Sequence, residues 1–140
     1  MRRSLTIGLL CGALAACEIP SPFPPPGLPS APGDLAADRA KCNKDYPERI
    51  GNYLAHAQCV NAAVERDAIP FARYPDLVRL QEQLRIKYST LIDQRALSPR
   101  DGERKMTEAD ELVSAAIHDR DVGRHAVADH RVVRLQAMLE

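Results

Sequence analysis

Residues 47–70, "PERIGNYLAHAQCVNAAVERDAIP", decide the fold class. Ile50, Tyr53, Leu54, Ala57, Val60, Asn61 and Val64 fall on one side when the chain advances about 100° per residue. The segment therefore reads as a helix from about Pro47 to Ala68. Pro47 suits its first turn and Pro70 stops it. Cys59 lies on the back of this helix, beside the small residues Ala55, Ala62 and Ala63.

Downstream the same period recurs. Leu77, Leu80, Leu84, Tyr88 and Leu91 predict a second helix from Pro75 to about Leu97, after a tight connection holding Phe71 and Tyr74 between two prolines. "SPRD" at 98–101 supplies Ser98 as N-cap, Pro99 at the first helical position and Asp101 at the third. The third helix then carries Met106, Ala109, Val113, Ala116 and Ile117 as its apolar stripe. Gly123 interrupts it, and Val127, Val132, Leu135 and Leu139 resume an apolar face. No alternating, β-branched run appears. The expected fold is all-α, an antiparallel helical hairpin or three-helix arrangement with short loops.

The N-terminus reads differently. Arg2 and Arg3 precede an uncharged apolar stretch, Leu5 to Ala16, which is shorter than the roughly 20 residues needed to span a bilayer. This is the pattern of a secretory signal. It ends in Leu14-Ala15-Ala16-Cys17, which resembles the lipobox of bacterial lipoproteins. The resemblance covers only residues 1–17. It implies that residues 1–16 are a signal peptide, that Cys17 becomes the first mature residue, and that its sulfur and amino group carry lipid and fatty acyl chains. Several acyl chains make a stable anchor, at about 0.8 kcal/mol per buried CH₂. Glu18 follows the cysteine where an inner-membrane retention signal would place Asp, so the resemblance favours the outer membrane with the domain facing the periplasm.

After Cys17, seven prolines fall between Pro20 and Pro32. They exclude helix and central strand and favour polyproline II. Residues 17–33 are thus expected to be a lipidated cysteine and a disordered Pro-rich stalk, reaching roughly 50 Å at about 3.1 Å per residue. Residues 34–140 form the folded domain.

On the lipoprotein reading, Cys11 leaves with the signal and Cys17 is lipidated, so Cys42 and Cys59 remain as an even pair in an oxidising compartment. A disulfide between them is expected. One straight helix would hold them about 25 Å apart, whereas bridged Cα atoms lie within about 7 Å. The chain must reverse, with Pro47 and Gly51 at the corner and residues 34–46 folded across the alanine-lined back face. A metal site on the two cysteines and His56 is the weaker alternative, for want of a fourth ligand.

The 19 basic and 19 acidic residues balance, and loss of Arg2 and Arg3 leaves a slightly acidic mature chain. No basic patch argues for nucleic acid. No nucleophile elbow, zinc-protease or phosphate-loop motif is present, and no cofactor is implied. The one constellation with possible chemistry is "HDRDVGRHAVADH", residues 118–130. There Asp121, His125 and Asp129 recur every four residues with His118 one turn earlier. On a continuous helix they would align as a divalent-metal stripe; on a solvated face they would be ordinary Asp–His pairs. The chain therefore reads as a non-enzymatic, membrane-tethered binding or spacer module for an unidentified envelope partner. The alternative is a small periplasmic-facing metal-binding factor or enzyme.

All five aromatic residues of the domain precede Ser89. The first half is therefore expected to hold the better core, and removal of residues 124–140 is expected to cost less than about 2 kcal/mol of a typical 5–15.

Overall fold

The computed structural model describes residues 33–140, and these form an all-α domain. Five helices follow in order: α1 (Leu35–Asp45), α2 (Tyr53–Asp67), α3 (Pro75–Asp93), α4 (Pro99–Asp121) and α5 (His125–Ala137). A single 3₁₀ turn, Ile69–Phe71, links α2 to α3. Each helix packs on its successor, and α5 also reaches back to α3. The signal peptide, the lipobox and all but Gly33 of the Pro-rich stalk lie outside the described residues.

Local chemistry accounts for most boundaries. Asp34 caps α1 by accepting from the Ala37 amide at 3.0 Å. Ser98 caps α4 as the sequence predicts, its Oγ accepting from the Asp101 amide at 3.1 Å and donating to Asp101 Oδ2 at 2.7 Å. Gly123 ends α4 in the left-handed region, φ +77°, and the Arg124 amide closes the turn onto the Asp119 carbonyl at 2.7 Å.

Two boundaries differ from expectation: α3 ends at Asp93, short of Leu97, where the chain turns with Arg95 at φ +60°, and α2 starts late. The first helix of the sequence reading begins at Tyr53, because residues 46–52 form the reversing corner, with Gly51 at φ +96°. Its N-terminus has no side-chain cap of its own. Asp93, at the far end of α3, supplies one: its carboxylate accepts from the amides of Gly51 (2.6 Å), Tyr53 (3.2 Å) and Leu54 (2.9 Å). The segment upstream of the corner is itself helical, and the break foreseen at Gly123 separates α4 from α5, so five helices build the expected all-α arrangement.

The core is distributed differently from the aromatics. The larger cluster joins Leu77, Leu84 and Tyr88 of α3 to Ala109, Leu112, Val113 and Ala116 of α4 and Leu135 of α5. Leu135 and Ala128 are fully buried. Against the expectation that the better core lies in the first half, α5 contributes Leu135 to the main cluster, because short aliphatic side chains at helical spacing fill its share of the core without an aromatic residue of its own. The smaller cluster joins α1 to α2 through Cys42, Val60, Val64 and Ile69, with Leu35 and Cys59 packed against it. There the sulfurs of Cys42 and Cys59 stand at a bonded 2.04 Å, with Cα atoms 5.7 Å apart. The chain reverses at Pro47–Gly51 as that pairing requires.

Candidate functional site

The stripe of residues 118–130 is not brought together. Gly123 breaks the helix between Asp121 and His125, so the four-residue spacing no longer aligns the side chains. Asp121 is engaged by the Arg73 guanidinium (2.8 Å) and the Tyr74 hydroxyl (2.9 Å). Among the described residues no three His, Cys, Asp or Glu side chains are placed to share a metal ion. The residue of this stretch with a structural role is Asp119. It is buried at the α4–α5 corner, between Arg124 (2.5 Å) and Arg131 (2.7 Å), and the Arg131 hydrogen bond holds its carboxyl below the usual carboxylate range. His56 is no metal ligand beside the cysteines either. Its Nδ1 lies 2.9 Å from the Tyr46 carbonyl, which can only accept, so the ring donates there.

A cleft of about 530 Å³ opens where α2 and α4 flank α3. That volume suits a small organic ligand or a short peptide. Its apolar lining comes from Val60, Ile92 and Met106, and its polar lining is sorted by position. Toward one end stands Arg85, half-buried, its guanidinium donating to Asn61 Oδ1. No carboxylate lies within ion-pair distance of it among the described residues. Burial lowers its affinity for its proton and the nearby positive charge of Arg39 lowers it further, while Asp110 and Glu82 offset part of this. Asp110 is at the rim on the same side, tied to Gln81 Nε2 at 2.6 Å.

The opposite end is acidic. Tyr53 lies there with Glu48 and Glu103 near enough that, after burial, their charges help raise its hydroxyl above the ordinary tyrosine value. His56, 8% exposed, turns Nε2 toward Glu48 Oε1 at 3.5 Å. Arg100, exposed on the rim, is the basic side chain at this end. The floor is shaped by close helix contact: a Cβ on Gly102 would meet Ile92 Cδ1 at 2.5 Å, so a larger residue there would displace the Ile92 side chain.

The sequence pointed to none of this, because the cleft draws on three helices and its charged residues share no periodic signature. Its one visible trace was the helical spacing of Arg85, Ser89 and Ile92 on one face of α3.

A second buried charge lies outside the cleft. Glu82 is 6% exposed and its Oε1 has no hydrogen-bond partner. Burial raises its carboxyl, and the neighbouring Glu65 raises it further. Glu65 is itself held by Arg79 at 3.1 Å.

No helix among the described residues is long and apolar enough to cross a membrane. Comparison with protein-family models, with curated proteins and with solved structures gives no match.

Proposed function

We propose that this chain is a lipid-anchored protein of the bacterial envelope, held through Cys17, whose helical domain is a non-enzymatic binding module. The observation that carries the reading is Leu14-Ala15-Ala16-Cys17 after Arg2-Arg3 and an uncharged apolar stretch, followed at once by seven prolines. Each element has a physical role in that arrangement: export, attachment, and separation of a folded domain from the bilayer by roughly 50 Å. The Cys42–Cys59 bond suits an oxidising compartment. Glu18 favours the outer membrane, with the domain in the periplasm.

A binding role is preferred over a pure spacer because of Arg85. Its guanidinium is half-buried and hydrogen-bonded to Asn61 Oδ1, with Asp110 and Glu82 nearby but no described carboxylate at ion-pair distance, and a partly desolvated charge favours a closer anionic partner.

The test of the anchor is Cys17→Ala expressed in a Gram-negative host. The variant should accumulate as unprocessed precursor and lose partitioning into the detergent phase, while the original matures and partitions. A Cys17→Ala protein that matures and partitions like the original refutes the reading.

A further inference from the structure

We propose that the cleft among α2, α3 and α4 binds a short zwitterionic peptide, its carboxylate on Arg85 and its ammonium group between Glu48 and Glu103 at Tyr53. The proposal rests on the reading of the domain as a binding module and gives that module a ligand class.

The charges run along the cleft in one direction. At the Arg85 end the basic groups are Arg85 and, from α1, Arg39; Asp110 opposes them from the rim but is already hydrogen-bonded to Gln81, and the buried Glu82 opposes them with a carboxyl whose ionisation burial disfavours. A carboxylate is the anion best matched to an unpaired guanidinium, which offers it two parallel N–H donors. At the other end Glu48 and Glu103 outnumber Arg100, and Tyr53 lines the cleft with them. Carboxylates beside an aromatic face favour an ammonium group.

The backbone spacing sets the scale of the ligand. Arg85 and Ile92 are seven residues apart on α3, a rise of about 10.5 Å, and Ile92 abuts Gly102, the neighbour of Glu103. An extended chain spans at most about 3.3–3.6 Å per residue, so three residues bridge the two ends. Between them Val60, Ile92 and Met106 offer apolar surface for small aliphatic side chains, and the buried Ser89 lies one turn beyond Arg85.

Trialanine with free ends is the probe, titrated calorimetrically into the full lipidated chain in detergent micelles. Trialanine should bind. N-acetyl-trialanine and trialanine amide should each bind about tenfold more weakly, the scale of one lost charge-assisted hydrogen bond. Arg85→Gln should bind trialanine and its amide equally weakly. The double change Glu48→Gln with Glu103→Gln should do the same for trialanine and its acetyl form. Lys41→Gln, on exposed α1 where it pairs with Asp45 and takes no part in the cleft lining, should leave binding unchanged. Absence of trialanine binding at millimolar concentration overturns the proposal, and so does equal binding of free and capped peptides. If Arg85→Gln fails to fold by circular dichroism, the capped series on the unaltered chain still decides. Detergent partitioning of Cys17→Ala reports on the anchor alone, so failure of the anchor and failure of the cleft are read separately.

Discussion

Leu135→Ala is the sharpest test of where stability resides. Leu135 is fully buried against α3 and α4, on the helix whose sequence has no aromatic residue and follows a glycine break. The change removes about three methylene equivalents, worth roughly 2.4 kcal/mol in transfer alone at about 0.8 each. The cavity left behind adds to this, because α3 and α4 are joined to each other and cannot collapse fully onto α5; comparable Leu→Ala changes cost about 2.7–5 kcal/mol. We expect about 3 kcal/mol. With a urea slope of about 1.5 kcal/mol/M, suited to a domain of this size, the unfolding midpoint should fall by about 2 M. The assay is urea unfolding followed by far-ultraviolet circular dichroism, with Val133→Ala as control. Val133 is 60% exposed on the same helix and should change stability by no more than about 0.5 kcal/mol. A Leu135→Ala cost below about 1 kcal/mol, or one equal to that of the control, would refute the claim that α5 belongs to the main core. Truncation at residue 124 should then cost more than Leu135→Ala, since it also removes Ala128 and takes Arg131 from the buried Asp119.

Replacing both Cys42 and Cys59 with serine should lower stability by about 3 kcal/mol, the chain-entropy value for a 17-residue separation, and non-reducing digestion of the native protein should yield the two peptides linked. Asp93→Ala should cost about 2 kcal/mol in urea unfolding and speed hydrogen exchange at the first turn of α2, 40 residues away in sequence, because three amides lose one shared acceptor. Glu82→Gln should act through pH. The folded carboxyl titrates above its ordinary value, so its favourable protonated form is present at low pH and stability is lost as pH rises through the raised folded value. The variant should therefore raise the urea midpoint at about pH 8 and leave it unchanged at about pH 4; the opposite order would show that ionised Glu82 is compensated by Arg79 and Arg85.

The features legible in the sequence are those that local chemistry determines. Ser98, Pro99 and Asp101 start α4 wherever the chain folds, because cap and first turn are neighbours. Gly123 stops it because only glycine enters the left-handed region without a steric cost. The illegible parts depend on contacts between distant segments. Nothing near Tyr53 announces that Asp93 will cap α2, and nothing in 118–130 separates the buried Asp119 from the exposed Asp121, since only packing against α5 does so. The aromatic count misled for a related reason. Tyr46 and Phe71 are exposed at the surface, whereas Leu77, Leu84 and Leu135 are fully buried. Helix α1 was illegible because Leu35 is its only large aliphatic residue, and its hold on the domain comes from the cysteine rather than from an apolar stripe.

That weakness of α1 has a mechanical side if the chain is tethered as proposed. Any pull from the anchor enters the domain at Gly33 and Asp34, the residues that lead into α1. Alone, a helix of 11 residues with one buried side chain would peel from α2 under little load, since short helices are marginal in water. Two features oppose peeling. The Cys42–Cys59 bond fixes the third turn of α1 covalently to α2. Arg66 binds Asp38 of α1 together with the buried Asp67 of its own helix, so the first turn is held by a charge pair whose second carboxylate lies largely out of solvent. Gly33 passes so close to the Asp67 carboxylate that a Cβ there would collide with it. With the disulfide and Arg66 holding α1 to α2, tension along the stalk is passed to α2 as well as borne by α1. The cleft holding Arg85 is lined by residues of α2, α3 and α4 and by none of α1, so the helix that takes up the pull first is not part of the proposed binding site.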